Sequence, residues 1–180
     1  MQELDEWIAI IISLFSLCVS ICTIIYNRKK VRCEITMKLL SDWCLNLNTN
    51  MTRSRKIVEG FNKEQCKNLY DNKKFIVSSE AYKEICIRMD KKLDDNCQEK
   101  ELSDQEVNTL RDDVIKYLNL LETILAARQY NVADDKLIRN EFQYLVKAES
   151  GECVLSVFRE ATGDKNLFPA ITKFCNDMNK

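Results

Sequence analysis

Residues 7–26 read WIAIIISLFSLCVSICTIIY, and this stretch decides the architecture. Its twenty residues contain no charge, no Pro and no Gly. At 1.5 Å per residue, a helix of that length spans roughly 30 Å, the thickness of a bilayer's hydrocarbon core. Trp7 and Tyr26 mark its ends, where amphipathic rings settle at headgroup level. A buried core helix rarely runs so far without a polar face. The expectation is a single membrane span.

The flanks give it a direction. Residues 1–6, MQELDE, carry Glu3, Asp5 and Glu6, while Arg28, Lys29, Lys30 and Arg32 follow the span. Basic residues resist translocation. The cluster is therefore expected to be topogenic, with a short acidic tail outside the cell membrane and everything after residue 27 in the cytoplasm. A cleaved signal peptide fits poorly, because it needs a basic start, a shorter apolar run and a small-residue cleavage site. The expected division is residues 1–6 as the outside tail, 7–26 as the span, 27–50 as a basic junction and stalk helix, and 51–180 as a cytosolic helical domain.

Within the span, Ala9, Ser13, Ser16, Ser20 and Thr23 recur at alternating spacings of four and three. On a helix they fall within about 80° of one another. Small residues let membrane helices approach closely, and hydroxyls can bond across the interface. A homo-oligomer along this face is expected. The simpler alternative is that each hydroxyl bonds back to its own helix.

Beyond the span, the 27 basic and 28 acidic residues nearly cancel, so no electrostatic footprint points to nucleic acid. Nine cysteines without any C-x-x-C pair are expected to be reduced and structural in the cytosol, with Cys33 near enough to the membrane for palmitoylation. Histidine is absent, which removes the commonest general base and a common zinc ligand. The three glycines stand apart, so no phosphate-cradling loop can form. The adjacent acids Asp94-Asp95, Asp112-Asp113 and Asp134-Asp135 do not converge by themselves, since neighbours on a helix point about 100° apart. They are expected on solvated surface, as is the basic run Arg53-Ser54-Arg55-Lys56. No catalytic, metal or cofactor site is expected.

Helical periodicity continues through Val31, Ile35, Leu39, Trp43 and Leu47, so one helix is expected from about Asp5 to about Asn48, projecting free of the rest by roughly 30 Å into the cytosol. A short basic helix then ends near Gly60. Asn62 with Gln65, and Ser103 with Glu106, have capping-box spacing. Ser78 or Ser79 is expected to cap a helix with Tyr82, Ile85, Cys86, Met89 and Leu93. Phe75-Ile76-Val77 is read as an apolar loop, for want of a partner strand. Residues 90–105 are read as a polar connection in which Lys100 is dispensable. The helix from Ser103 to Tyr130, with Val107, Leu110, Val114, Tyr117, Leu121 and Ile124 inward, is expected at the centre of the bundle. Asp134 and Asp135 open the next helix, Cys153–Glu160 forms another, and Pro169 begins the last. The fold class is all-α.

From Leu118 onward the chain resembles the bacterial family labelled domain of unknown function 4760. The similarity lies in Leu118-Asn119-Leu120-Leu121-Glu122, in Asp134 or Asp135 with Leu137, in Phe142, and in Phe168-Pro169-Ala170-Ile171 with Phe174. It implies one N-terminal span followed by a small helical domain, and no catalytic residues. On that resemblance Asn119 and Glu122 are expected to support helix packing. The function expected is a membrane-anchored, non-enzymatic interaction or regulatory module with a cytosolic protein partner. The alternative is an oligomeric inner-membrane effector, of toxin or phage-defence type, that disrupts the membrane when triggered.

Overall fold

A computed structural model describes residues 2–92, 99–146, 152–163 and 167–179, with side chains from residue 7 onward except Ala9. The described residues are overwhelmingly helical, and the fold is all-α. Nothing in the sequence breaks the first helix, and α1 runs unbroken over Gln2–Asn46. Asn48 ends that run by accepting the Met51 N–H at 2.8 Å, which caps α2, Thr49–Glu59. Asn62 and Gln65 form the expected capping box on α3, Lys63–Tyr70. Ser78 caps α4, Ser79–Arg88. Ser103 and Glu106 form a second capping box on α5, Asp104–Gln129. Asp134 caps α6, Asp135–Phe142, and a 3-10 turn at Gln143–Leu145 follows. Two short helices complete the bundle, α7 at Ser156–Ala161 and α8 at Pro169–Met178.

The centre of the bundle is α5. Val107, Leu110, Val114, Tyr117, Leu118, Leu121, Ile124 and Leu125 are all buried. That is more than one stripe of a helix, so α5 is packed from several sides, chiefly by α2 and α8 and also by α1, α3 and α6. Burying each such side chain contributes about 1.5–3 kcal/mol. This helix therefore supplies much of the core.

Several expectations need correction. Ile76–Ser78 (β1) does find a partner, in the polar connection: it pairs antiparallel with Glu99–Glu101 (β2), Val77 opposite Lys100. Alternation over three residues is too short to read from sequence, but Val77 is buried while Ile76 and Ser78 face out. Lys100 also places its ammonium 4.6 Å from the Tyr82 ring, so it belongs to a strand and to a cation–π contact and not to a loop. The middle of that connection, with Leu93, Asp94, Asp95 and Cys97, lies outside the described residues. The helix expected from Cys153 starts later. Cys153 instead forms an antiparallel bridge with Val146, and Leu155 turns the chain through a left-handed conformation (φ 51°) into α7. Gly163, at φ +75°, follows that helix where a left-handed residue is needed.

The free stalk is also corrected. Thr36 and Trp43 are buried, and Leu39, Leu40 and Leu47 pack against the core. The second half of α1 is a wall of the bundle. Among the cysteines, Cys153 and Cys175 are joined as a disulfide, their Cα atoms 5.9 Å apart, against the expectation that none pairs. The bridge after Val146 and the course of α8 bring together residues 22 apart in sequence. Cys66 and Cys86 are free and buried, and burial pushes the Cys66 thiol up to about 11, leaving it unreactive.

Candidate functional site at the junction of span and bundle

The first half of α1 is long and apolar enough to cross a membrane, and that stretch is not buried against the rest of the molecule. Phe15 is 71% exposed. Such a surface suits lipid and not water. Ser13, Ser16, Ser20 and Thr23 all lie on this exposed part, and Ala9 falls where side chains are not described. The Ser20 hydroxyl donates to the Ser16 carbonyl and the Thr23 hydroxyl to the Val19 carbonyl, both at 2.8 Å. These two hydroxyls are satisfied within their own helix. The stripe therefore offers close approach by size more than by bonding.

Arg28, Lys29, Lys30 and Arg32 come next and are exposed. Lys30 makes only a solvated contact with Glu34, 3.8 Å away, worth a few tenths of a kcal/mol. One turn further the helix meets the bundle. The Thr36 hydroxyl donates to the Arg32 carbonyl at 2.7 Å and accepts the Asp134 N–H at 2.7 Å. Asp134 uses one carboxylate oxygen to cap α6 through the Leu137 N–H, 3.0 Å away, and the other lies 3.9 Å from the Cys33 thiol. Cys33 is thus half-buried against α6 rather than free at the bilayer surface. Two turns on, the Trp43 indole meets Tyr117 of α5 and Phe142 of α6 edge-on, centroids 5.5 and 5.3 Å away. Each aromatic pair adds about 0.5–1.5 kcal/mol beyond burial. The apolar stretch and the wall of the core thus belong to one continuous helix, joined to the bundle at Thr36 and Trp43.

Buried ionic groups brace the bundle, and they correct the solvated-surface reading for Asp113 and for half-buried Asp134, while Asp112 and Asp135 are exposed as expected. Asp113 is buried and accepts from Ser54 at 2.7 Å and from Arg88 Nε at 2.7 Å. Ser54 is itself fully buried and Arg55 lies over the Tyr117 ring, so the middle of the Arg53–Lys56 run turns to the core, while Arg53 is half-buried and Lys56 is exposed as expected. Glu106 accepts from Lys91 at 2.8 Å and from the Ser103 amide and hydroxyl at 2.7 Å each. Burial alone raises a carboxyl's pKa, but here Lys91 and Ser103 outweigh it and hold Glu106 below its ordinary value. Asp135 is likewise held low, Arg128 and Arg139 outweighing its desolvation. Arg128 is buried and also bonds Asp177 of α8 at 3.2 Å.

The residues carried by the family resemblance separate. Glu122 and Pro169 meet: Glu122 accepts the Ala170 and Ile171 N–H groups at 2.8 and 3.0 Å, capping the helix that Pro169 opens. Asn119 does not join them. It is exposed, and its backbone carbonyl accepts from the Thr123 hydroxyl at 2.9 Å. Its expected packing role is corrected accordingly, because it sits on the solvent side of α5.

Among the described residues no three of Cys, Asp and Glu gather closely enough to hold a metal ion. Sequence reasoning missed the Thr36–Asp134 contact and the buried role of Ser54 and Asp113. No local pattern signals contacts between residues 98 and 59 positions apart. No family model matches the chain, and neither a curated protein nor a solved structure matches it.

Proposed function

We propose that this protein is a membrane-anchored, non-enzymatic module whose helical domain binds a cytosolic protein partner and couples that binding to its span. One observation carries the reading: α1 continues unbroken from the lipid-suited stretch into the core, where Trp43 is clamped between Tyr117 and Phe142. A mere tether needs no such joint. The titratable groups brought together by the fold are paired in ion pairs that brace helices, which favours a binding role over catalysis. The basic cluster at Arg28–Arg32 supports an orientation with the bundle in the cytoplasm.

A second reading rests on the small-residue face of the span, which fits a homo-oligomeric effector that disrupts the membrane. Induced expression with a potential-sensitive dye separates the two. The module reading expects the membrane potential to persist. Collapse that is abolished by Ser16→Leu with Ser20→Leu would favour the effector and set the module aside. A cytoplasm-specific reporter fused after Lys180 is expected to be active; activity of a periplasm-specific reporter there would reverse the orientation.

A further inference from the structure

Resting on the reading of α1 as a membrane span, we infer that the turn joining α5 and α6, Tyr130-Asn131-Val132, is a second membrane contact. It seats in the lipid headgroup layer beside the emerging helix. Tyr130 is 73% exposed and Val132 is 44% exposed, although the rest of α5 is the most buried helix of the bundle. Asn131 takes a left-handed conformation (φ 56°), which turns the chain sharply and leaves its two apolar neighbours at the tip.

The geometry sets the depth of that tip. Thr36, bonded to the Asp134 amide, lies ten residues past Tyr26, about 15 Å along the helix. Two residues of chain lead back from Asp134 to Val132 and cover up to about 7 Å. The tip therefore lies no closer than roughly 8 Å to the level of Tyr26, at the outer edge of a headgroup layer about 5–8 Å thick. Asn131 and Val132 share one groove with Ile24, Arg28, Val31 and Ile35 of α1, and Ile24 is inside the span itself. A surface continuous with a span residue is already at the bilayer.

The chemistry of the groove fits lipid. Arg28 and Arg32 are the charged groups on its walls, and no acidic side chain lines it. The nearby acids are engaged elsewhere: Asp134 in its cap and Asp135 with Arg128 and Arg139. Guanidinium groups suit anionic headgroups, and an exposed tyrosine with an adjacent aliphatic residue suits the boundary between headgroup and acyl chain. Tyr130 would join Tyr26 as an interfacial anchor. The bundle then lies against the membrane on two legs and does not swing on one.

The test uses the full chain carrying Tyr130→Trp and Trp7→Phe, reconstituted in vesicles of equal parts phosphatidylcholine and phosphatidylglycerol. Trp43 is buried in the core and supplies a constant background. Lipids bearing a headgroup nitroxide are expected to remove most of the introduced indole's emission, while aqueous acrylamide leaves it largely intact. Adding Val132→Asp is expected to reverse that pattern with helicity unchanged. Quenching by acrylamide but not by lipid overturns the proposal, and so does shielding from both, which would place a protein surface over the turn. The unmodified chain serves as reference. If Trp7 is quenched by lipid and the introduced indole is not, the contact alone fails. If Trp7 also escapes lipid quenching, the span reading fails with it.

Discussion

Replacing Glu122 by Ala removes the acceptor that closes the first turn of α8. The accounting at that helix end is complete. Pro169 has no N–H, the Ala170 and Ile171 amides go to Glu122, and the Thr172 amide bonds the Phe168 carbonyl at 3.2 Å. Phe168, the residue before the helix, sits in a left-handed conformation (φ 63°) and provides no side-chain cap. Glu122, one helix away, supplies what the local sequence lacks. A hydrogen bond to a charged group is worth about 1.5–3 kcal/mol, and the carboxylate also faces the positive end of the α8 dipole. Glu122 is only half-buried and water can replace part of this, so the low end applies: about 3 kcal/mol for the pair. At 2–4 °C per kcal/mol for a chain of this size, the melting temperature is expected to fall by about 6–12 °C. Glu122→Gln keeps one oxygen acceptor and is expected to lose about half as much.

The assay follows Trp43 emission in detergent-solubilised chain carrying Trp7→Phe, with reductant present so that the Cys153–Cys175 bond does not hold α8 in place. Asn119→Ala is the reference, since Asn119 is exposed one turn earlier on the same helix and its loss is expected to cost under about 0.5 kcal/mol. Equal midpoints for Glu122→Ala and Asn119→Ala would refute the reasoning, because Glu122 would then be another surface carboxylate.

Three further outcomes are expected. Asp113→Ala strands Arg88 and buried Ser54 and is expected to cost about 3–5 kcal/mol in a denaturant titration. Lys91→Met removes a half-exposed partner of Glu106 and is expected to cost about 1 kcal/mol at neutral pH. Because Glu106 is held below its ordinary value of 4.5, its contribution is complete above that pH and disappears as pH falls through the folded value, so the Lys91→Met deficit narrows below about pH 4.5. Cys153 and Cys175 are expected to alkylate when cells are acid-quenched and denatured in the reagent if the bundle is cytoplasmic, and to resist after purification in air; resistance in the quenched, denatured cells would place them in an oxidising compartment.

Helix positions were legible wherever local chemistry sets them. Asn62 with Gln65, and Ser103 with Glu106, cap what their spacing predicts, and the α5 leucines face inward as their periodicity requires. Pairing over distance was not legible. Glu99–Glu101 has no apolar alternation, and only the presence of Val77 opposite makes it a strand. Asp113 looks like one of two adjacent surface acids until Ser54 and Arg88 arrive from other helices. The stalk illustrates the same point. Val31, Ile35, Leu39, Trp43 and Leu47 read as an apolar stripe, but a stripe does not say what covers it. Val31 remains 50% exposed while Trp43 is 4% exposed, so the same periodicity serves the membrane-proximal groove at one end and the core at the other.

The joint between span and bundle has a mechanical consequence that a flexible linker would not have. Trp43 lies seventeen residues past Tyr26, about 26 Å along one continuous helix. A helix transmits rotation about its axis, and the contacts at Thr36 and Trp43 fix that rotation at two heights on the bundle. The faces that the span presents to lipid are therefore set by the packing of α5 and α6. If span helices associate through Ser13, Ser16, Ser20 and Thr23, the bundles must arrive in one orientation, and a partner that reoriented the bundle would turn that face away. Differential binding to the two orientations is then all that a partner needs to bias association in the membrane. The small-residue face and the bundle would act on one equilibrium, because α1 belongs to both.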